Sequence, residues 1–186
     1  LNEGIDVVVL GVDAFHTRFS NRIQADYDRD PNLIVYANLD GTALSRGVTL
    51  SAQLDAPTRP VTFAAGVTFQ DVTLTDGGVR RAVPYAARVL GTLTTGVRMP
   101  RLGSTLDWTA RFVGPMALPE LDGRPTTSPW FSEHHLQLTH PITRTLQLYG
   151  AVRNLFDYRQ RNAIVGADAP FSEQFDTSYM YDPLQG

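Results

Sequence analysis

Apolar and polar residues alternate along most of the chain, and helical periodicity is nearly absent. In residues 61–70, VTFAAGVTFQ, one face carries Val, Phe and Ala, and the other carries mainly Thr, Ala, Gly and Gln. Residues 47–54, 104–112 and 145–153 repeat this period-two pattern, which is typical of β-strands with one apolar face. The pattern predicts an all-β chain with seven strands, at residues 5–20, 34–54, 61–74, 86–98, 104–114, 131–140 and 145–155.

The connections between the predicted strands alternate in length. The short connections all contain proline and lie at residues 55–60, 99–103 and 141–144. The long connections are polar and lie at residues 20–33, 75–85, 115–130 and 156–186. Short turns at one end and long loops at the other are the layout of an antiparallel up-and-down transmembrane barrel, whereas a soluble sandwich would show Greek-key connections.

Such a barrel turns its apolar face to lipid and its polar face to the lumen. The residues predicted to face the membrane are Phe63, Phe69, Leu106, Trp108, Phe112, Leu146, Leu148 and Val152. The opposite face is small and polar, which indicates a wide barrel. Seven strands would leave two unpaired edges in a bilayer, where each orphan backbone group costs several kcal/mol. We therefore expect a fragment of a larger barrel, with the final strand missing.

Composition argues against several other classes of protein and of site. The chain has 186 residues, 42% of them hydrophobic and 19% charged, and no run approaches the ~18 consecutive apolar residues of a spanning helix. The net charge of −3 argues weakly against nucleic acid as a partner. The absence of cysteine excludes disulfides, thiolate metal sites and a Cys nucleophile.

All 16 basic residues of the chain are arginines. A GC-rich genome would explain this bias without any function. A functional explanation is that arginine suits anionic ligands and phosphate-bearing lipid headgroups better than lysine does, because its planar guanidinium binds two oxygens at once.

Three stretches resemble the C-terminal part of TonB-dependent outer-membrane receptors. Residues 152–157, Val-Arg-Asn154-Leu155-Phe156-Asp157, are similar to the Val-x-Asn-Leu-Phe-Asp that commonly ends the penultimate strand of that family. Residues 38–50, NLDGTALSRGVTL, look like an earlier strand of those barrels, and residues 181–186, YDPLQG, look like their last loop, with Asp182 in place of the usual Gly. Residues 170–181 also resemble relatives from Bacteroidota-type bacteria.

The resemblance implies the C-terminal barrel segment of an active importer in the bacterial outer membrane. Its partners would be outer-membrane lipid, a small-molecule or metal-chelate substrate such as a ferric siderophore, cobalamin, haem or a glycan, and the TonB system, acting through a plug domain absent from this sequence. No cofactor and no nucleic acid are expected. Residues 1–186 are expected to form one partial barrel domain without plug or signal peptide, beginning inside a longer protein.

Arginines and aromatic residues on the long connections and the polar face are the candidates for ligand binding. Guanidinium groups offer charge-assisted hydrogen bonds to anionic chelates, and aromatic rings offer stacking surface. The candidates are Tyr27, Arg80, Arg81, Tyr85, Arg111, Arg124, Trp130, His135 and Arg153. Solvated loops without any ligand are the better explanation for most of these positions.

The remaining motifs predict no metal site and no enzyme. His134 and His140 share a strand face but lie ~20 Å apart, too far for one ion, and His135 is predicted to line the lumen. Residues 26–32, DYDRDPN, lack the Gly and Glu of an EF-hand calcium loop, which leaves a looser cation or lipid-associated site open there. Catalytic motifs with a known mechanism are absent. A passive porin-like or structural barrel and a soluble β-sandwich binding module are the alternatives.

Overall fold

Antiparallel strands make up all the regular structure that the computed structural model describes, which covers residues 5–20, 23–26, 35–38, 41–121, 123–172 and 174–182. The strands are β1 (Val7–Ser20), β2 (Ile23–Asp26), β3 (Val35–Asn38), β4 (Gly41–Asp55), β5 (Val61–Asp76), β6 (Val79–Ala82), β7 (Val89–Met99), β8 (Ser104–Val113), β9 (Phe131–Pro141) and β10 (Gln147–Val152). No helix in these residues is long and apolar enough to cross a membrane.

Seven long strands follow one another as a meander in the order β1-β4-β5-β7-β8-β9-β10. Each pairs with its neighbour in the antiparallel sense, and β1 and β10 are the two edges of the sheet within the described residues. This open antiparallel sheet confirms the predicted fold, a fragment of an up-and-down barrel.

Two short hairpins differ from the strands predicted from the sequence. β2 pairs with β3 in a separate two-stranded sheet, so the strand predicted at 34–54 is wrong as one element and divides into β3 and β4. β6 pairs with the end of β5 inside the connection predicted at 75–85. The turn between them is Gly77-Gly78, with φ angles of 53° and 81°. Two consecutive residues with positive φ form the turn type that closes a two-residue hairpin, and glycine adopts it without strain.

The strand register aligns the apolar residues of neighbouring strands on one face, here called the apolar face. Leu50 lies opposite Val12 on one side and Val67 on the other. Strand residues predicted to face the membrane share this face, namely Phe63, Phe69, Leu106, Trp108, Phe112, Leu148 and Val152, and Leu146 lies just before β10. Leu10 and Leu148 expose 75% and 62% of their surface, so the two edge strands have no protein cover at these positions of the apolar face.

The short connections are braced by polar contacts near Asp6. The Asp6 carboxylate accepts hydrogen bonds from the Thr58 hydroxyl at 2.6 Å and from Arg59 Nε at 2.8 Å. Arg98 Nη2 donates to the Arg59 carbonyl oxygen at 2.6 Å. These contacts tie the start of β1 to the β4–β5 turn and to β7, which fixes the end of the sheet that carries the short turns.

Side-chain packing is concentrated at the opposite end, where the long connections lie. Val113 and Phe131 lie opposite each other in β8 and β9, on the polar face that also carries Thr109 and His135. Residues from the long connections cover them and form a small core, whose buried members are Ala87, Val113, Met116, Leu118, Phe131 and Tyr179. The long connections therefore fold back over the polar face of the sheet.

The close packing around Gly47, in β4, can be tested by substitution. A Cβ atom at Gly47 would lie 2.4 Å from the Phe69 carbonyl oxygen and 2.6 Å from Phe15 Cζ, whereas a Cβ at Gly150 in β10 would meet nothing within 4 Å. Gly47→Ala is expected to destabilise the complete barrel by about 1–3 kcal/mol because the backbone must shift. Gly150→Ala, the matched control, is expected to stay within about 0.5 kcal/mol. The temperature at which each variant changes its mobility on SDS gels measures both effects. Equal midpoint temperatures for the two variants would contradict the close contacts described at Gly47.

Candidate functional site

An aromatic cluster lies where the long connections meet the polar face. The Phe131 ring, at the start of β9, stacks on Tyr158 with centroids 5.1 Å apart and planes 7° apart. Tyr181 lies 5.9 Å from Phe131 and 6.4 Å from Tyr179. Offset and edge-on arrangements at these distances are favourable for aromatic pairs. The four rings, called the aromatic cluster below, join β9 to the tail at residues 153–182.

Gln160 holds the two parts of this tail together. Its Nε2 donates to the Tyr179 carbonyl oxygen at 2.9 Å, and its Oε1 accepts from the Tyr181 backbone N–H at 2.9 Å. Gln160 is buried, and Tyr179 donates its own hydroxyl proton to the Pro125 carbonyl oxygen at 2.8 Å. These bonds fix the positions of Tyr179 and Tyr181 against the 114–130 connection.

Two arginines lie beside the aromatic cluster. The Arg111 guanidinium is 6.0 Å from the Phe131 ring centroid, and its Nη1 donates to Glu133 at 2.9 Å. The Arg124 guanidinium is 5.3 Å from the Tyr179 ring centroid and donates to the Asn162 carbonyl oxygen. Both distances are within the range of cation–π attraction. Guanidinium groups next to aromatic rings provide charge and stacking surface together.

Burial changes the titration of the acidic groups at this position. The pKa of Asp182 is raised to about 7, chiefly by burial and also by the nearby Glu133 carboxylate, while the Arg111 guanidinium opposes both effects. Neither Asp182 oxygen has a hydrogen-bond partner among the described residues. Burial also raises the pKa of Tyr158, Tyr179 and Tyr181, so these phenols stay neutral at physiological pH.

A cavity of about 390 Å³ opens between the tail and the 114–130 connection. Its lining includes Arg124, Arg161, Asn162, Tyr179 and Tyr181. A concave surface with two arginines, two tyrosines and few other polar groups is the type of site that accepts an anionic ligand with a flat or apolar part.

The Asn154-Leu155-Phe156-Asp157 motif forms the turn that leads from β10 to this site. Asn154 and Asp157 have φ angles of 46° and 49°. The Asn154 side chain donates to the Tyr158 carbonyl oxygen at 2.8 Å and accepts from the Tyr158 N–H at 3.0 Å. Phe156 packs edge-on to His134 at 4.7 Å, and the Leu155 N–H donates to the His134 carbonyl oxygen at 2.7 Å. The motif therefore anchors β10 on β9 and places the Tyr158 ring against Phe131.

The structure brings some of the predicted ligand-binding residues together and separates others. Arg111 and Arg124 lie at the aromatic cluster, whereas Arg81 lines a different cavity of about 330 Å³ with Leu118 and Glu120. Arg80 bonds to Asp71 on the side of the sheet that carries the apolar face, and Tyr27 lies outside the described residues, as do residues 28–32 of the DYDRDPN segment.

The other candidates for ligand binding lie at separate positions. His135 Nδ1 accepts the Asn154 backbone N–H at 3.2 Å, and Arg153 is exposed after β10. Tyr85 packs against the small core, and Trp130 lies beside Gly114, just before β9 begins. His134 is stacked on Trp108, with centroids 5.7 Å apart, on the apolar face.

No group of three or more His, Asp or Glu side chains that could hold a metal ion occurs in the part of the chain that the structure describes.

The sequence-based candidates include none of the four rings of the aromatic cluster. Phe131, Tyr158, Tyr179, Tyr181, Glu133 and Asp182 were not among the candidates. The alternation Tyr179-Met180-Tyr181 and the return of aromatic residues in the tail were the available signals.

The chain matches the family described as TonB dependent receptor-like, beta-barrel, over residues 3–155. No curated protein matches it at the sequence level. The family and the solved structures that resemble the chain are transport receptors.

Three of these solved structures illustrate the similarity. The ferric-catecholate import receptor Fiu from E. coli is 21% identical, with a TM-score of 0.60, and the match covers 81% of this chain and 21% of Fiu. The siderophore receptor PiuA from Acinetobacter baumannii is 17% identical, with a TM-score of 0.63, over 96% of this chain and 24% of PiuA. The ferripyoverdine receptor of Pseudomonas aeruginosa is 18% identical, with a TM-score of 0.58, over 81% of this chain and 21% of the receptor. The chain thus spans about a fifth to a quarter of their length.

The turn at Asn154 can be tested with two substitutions. Asn154→Gly keeps the positive φ and removes both side-chain hydrogen bonds, so it is expected to cost about 1–2 kcal/mol. Asn154→Ala removes the same bonds and adds left-handed strain, which costs about 1 kcal/mol more. Denaturant unfolding of the complete barrel measures both variants. An alanine variant as stable as the glycine variant would show that the backbone conformation at Asn154 does not matter.

The buried Asp182 predicts a pH dependence of the tail. Between about pH 4 and pH 7 the folded state keeps the proton on Asp182 while the unfolded state releases it, so stability falls as pH rises through this window. Hydrogen exchange of the tail backbone is expected to be faster at pH 8 than at pH 5 after correction for intrinsic rates. Asp182→Asn removes this dependence, and Asp168→Asn, at an exposed position in the same tail, retains it. A parental pH dependence that persists in Asp182→Asn would refute the assignment.

Proposed function

The chain belongs to the TonB-dependent receptor β-barrel family of the outer membrane, and from this premise we propose that it forms part of the wall and outer vestibule of an active siderophore importer. The observation that carries the proposal is the aromatic cluster with Arg111 and Arg124, held on the polar face by the long connections. No covalent chemistry is required of these residues.

In this proposal the apolar face contacts lipid and the polar face lines the lumen. The support is the continuous exposed row of apolar residues that the strand register creates, because a surface of this kind is stable only next to a nonpolar environment. The end with the long connections then faces the outside of the cell, and the end with the short turns faces the periplasm.

The ligand class that fits the site is an anionic metal chelate. Arg124 and Arg161 supply positive charge at the cavity, and Tyr179 and Tyr181 supply aromatic surface. Fiu and the ferripyoverdine receptor, whose names state ferric chelates, have the same fold. Cobalamin, haem and glycans are the other ligands considered, and a ferric siderophore agrees best with the guanidinium groups, which bind anionic oxygens in pairs.

Energy coupling separates active import from passive diffusion. In an active receptor, TonB acts on a plug domain inside the barrel, so uptake stops when TonB is absent. A porin-like barrel would let the same solute pass regardless of TonB. The Bacteroidota-type origin indicated by the tail remains a prediction.

Uptake assays with the complete receptor that contains this chain test the proposal. Radiolabelled ferric catecholate and ferric hydroxamate siderophores are supplied to an E. coli strain that lacks its own siderophore receptors, with and without TonB. At least one siderophore is expected to accumulate only when both the receptor and TonB are present. Uptake that continues without TonB would instead establish the passive barrel.

A single substitution tests the position of the site. Arg124→Gln removes the guanidinium next to Tyr179, and the apparent affinity for the transported chelate is expected to fall about tenfold, the value of one charge-assisted contact. Arg144→Gln, at the exposed turn of the opposite end, is the matched control and should leave uptake unchanged. Equal losses in both variants would argue against a site at the aromatic cluster.

A further inference from the structure

Two arginines and one aspartate form a charged group on the apolar-face side of the sheet, near the long connections. Arg46 donates to Asp71 Oδ2 through Nε at 3.2 Å and through Nη2 at 3.0 Å. Arg80 Nη2 donates to the same oxygen at 2.9 Å, and Arg80 Nε donates to the Thr73 hydroxyl at 3.3 Å. The three residues, called the arginine pair and its aspartate below, carry one net positive charge.

The strand register places this group directly beyond the apolar rows. Arg46 lies opposite Asp71, and the next pair toward the short turns on the same face is Val48 with Phe69. On the other side, Arg46 lies opposite His16 of β1. Arg18 follows two residues later on the same face and is exposed. The apolar surface therefore ends in a patch of positive charge at the end that carries the long connections.

The two guanidinium groups keep donors for a further acceptor. Each has five N–H groups, and the contacts with Asp71 and Thr73 use two on each arginine. The side chains of Arg46 and Arg80 remain 51% and 55% exposed. Both arginines bond to Oδ2 of Asp71, so one carboxylate oxygen holds two guanidiniums side by side. Such a pair matches a phosphate group, which offers several anionic oxygens to planar donors.

We propose that the arginine pair binds the phosphate group of a phosphorylated lipid headgroup in the outer leaflet of the membrane. The inference rests on the proposed orientation of the apolar face toward lipid. A ligand that fills this surface next to Val48 and Phe69 combines acyl chains for the apolar rows with an anionic group for the arginines. A phosphorylated lipid supplies both, and charge attraction between arginines and anionic headgroups is strong close to the membrane surface.

This site differs from the candidate ligand site in face and in composition. Arg111 and Arg124 lie against aromatic rings on the polar side, whereas Arg46 and Arg80 have no aromatic partner among the described residues and lie at the border of the apolar surface. Lipid binding at Arg46 and Arg80 therefore does not require that the aromatic cluster bind the transported ligand.

Binding of defined lipids to the complete barrel in detergent tests the proposal. Native mass spectrometry or fluorescence titration with diphosphorylated lipid A compares the parent with the Arg46→Gln/Arg80→Gln double variant. The double variant is expected to bind about tenfold more weakly or worse, since two charge-assisted contacts are lost. Arg59→Gln, which loses the 2.8 Å pair with Asp6 at the opposite end, is the matched control and is expected to bind like the parent. Equal affinity of the double variant and the parent would overturn the proposal.

Two further measurements separate a lipid site from a structural ion pair and from a general anion site. Asp71→Asn keeps both guanidiniums and removes the competing carboxylate, so binding should be equal or tighter, whereas weaker binding would mean that the pair itself is the structural requirement. Inorganic phosphate at the same concentration should not displace the lipid, and displacement would reassign the site to free anions. TonB-dependent uptake by the double variant reports on the proposed transport function independently of these outcomes.

Discussion

Backbone hydrogen bonds between neighbouring antiparallel strands hold most of this structure together, because the sheet has little side-chain core of its own. The β1–β4 and β4–β5 ladders each align 14 residue pairs, and most side chains on both sides of these strands remain at least partly exposed. The register of the strands then determines which face each residue of the period-two pattern occupies. A slip by one residue would turn Leu50 and Phe69 to the polar face and Thr49 and Thr68 to the apolar face. The ladders therefore decide on which face each strand side chain lies.

The long connections supply the packing that the sheet lacks. Their apolar residues cover Val113 and Phe131, and the buried Gln160 and the Asn154 turn fix the tail by hydrogen bonds rather than by a large core. A site built in this way combines a rigid wall with segments whose conformation depends on a few polar contacts. The wall positions Arg111, and the connections position Arg124 and the tyrosines, so changes in the connections can alter ligand choice without altering the barrel.

The sequence predicted the sheet better than it predicted the site, for physical reasons. Alternation of side chains is a local property, so the seven long strands and the apolar face could be derived from it. The β5–β6 hairpin also had a local signal in Gly77-Gly78, between Asp76 and Val79, that was not recognised. The aromatic cluster had only a weak local signal, the alternation Tyr179-Met180-Tyr181. Phe131, Tyr158 and Tyr181 meet because the tail after β10 folds back onto the start of β9, and no spacing along the chain encodes that meeting.

Arginine shows most clearly how the fold assigns different chemistry to one residue type. From composition alone, the absence of lysine was better explained by a genomic bias than by a preference for anionic partners. The register separates the arginines by face. Arg111 and Arg124 lie beside aromatic rings on the polar side of the sheet, at the proposed chelate site. Arg46 and Arg80 lie beside Asp71, next to Val48 and Phe69, at the proposed lipid site. The planar guanidinium suits both surroundings, since it stacks on rings and also binds two oxygens at once, which an ammonium group cannot do.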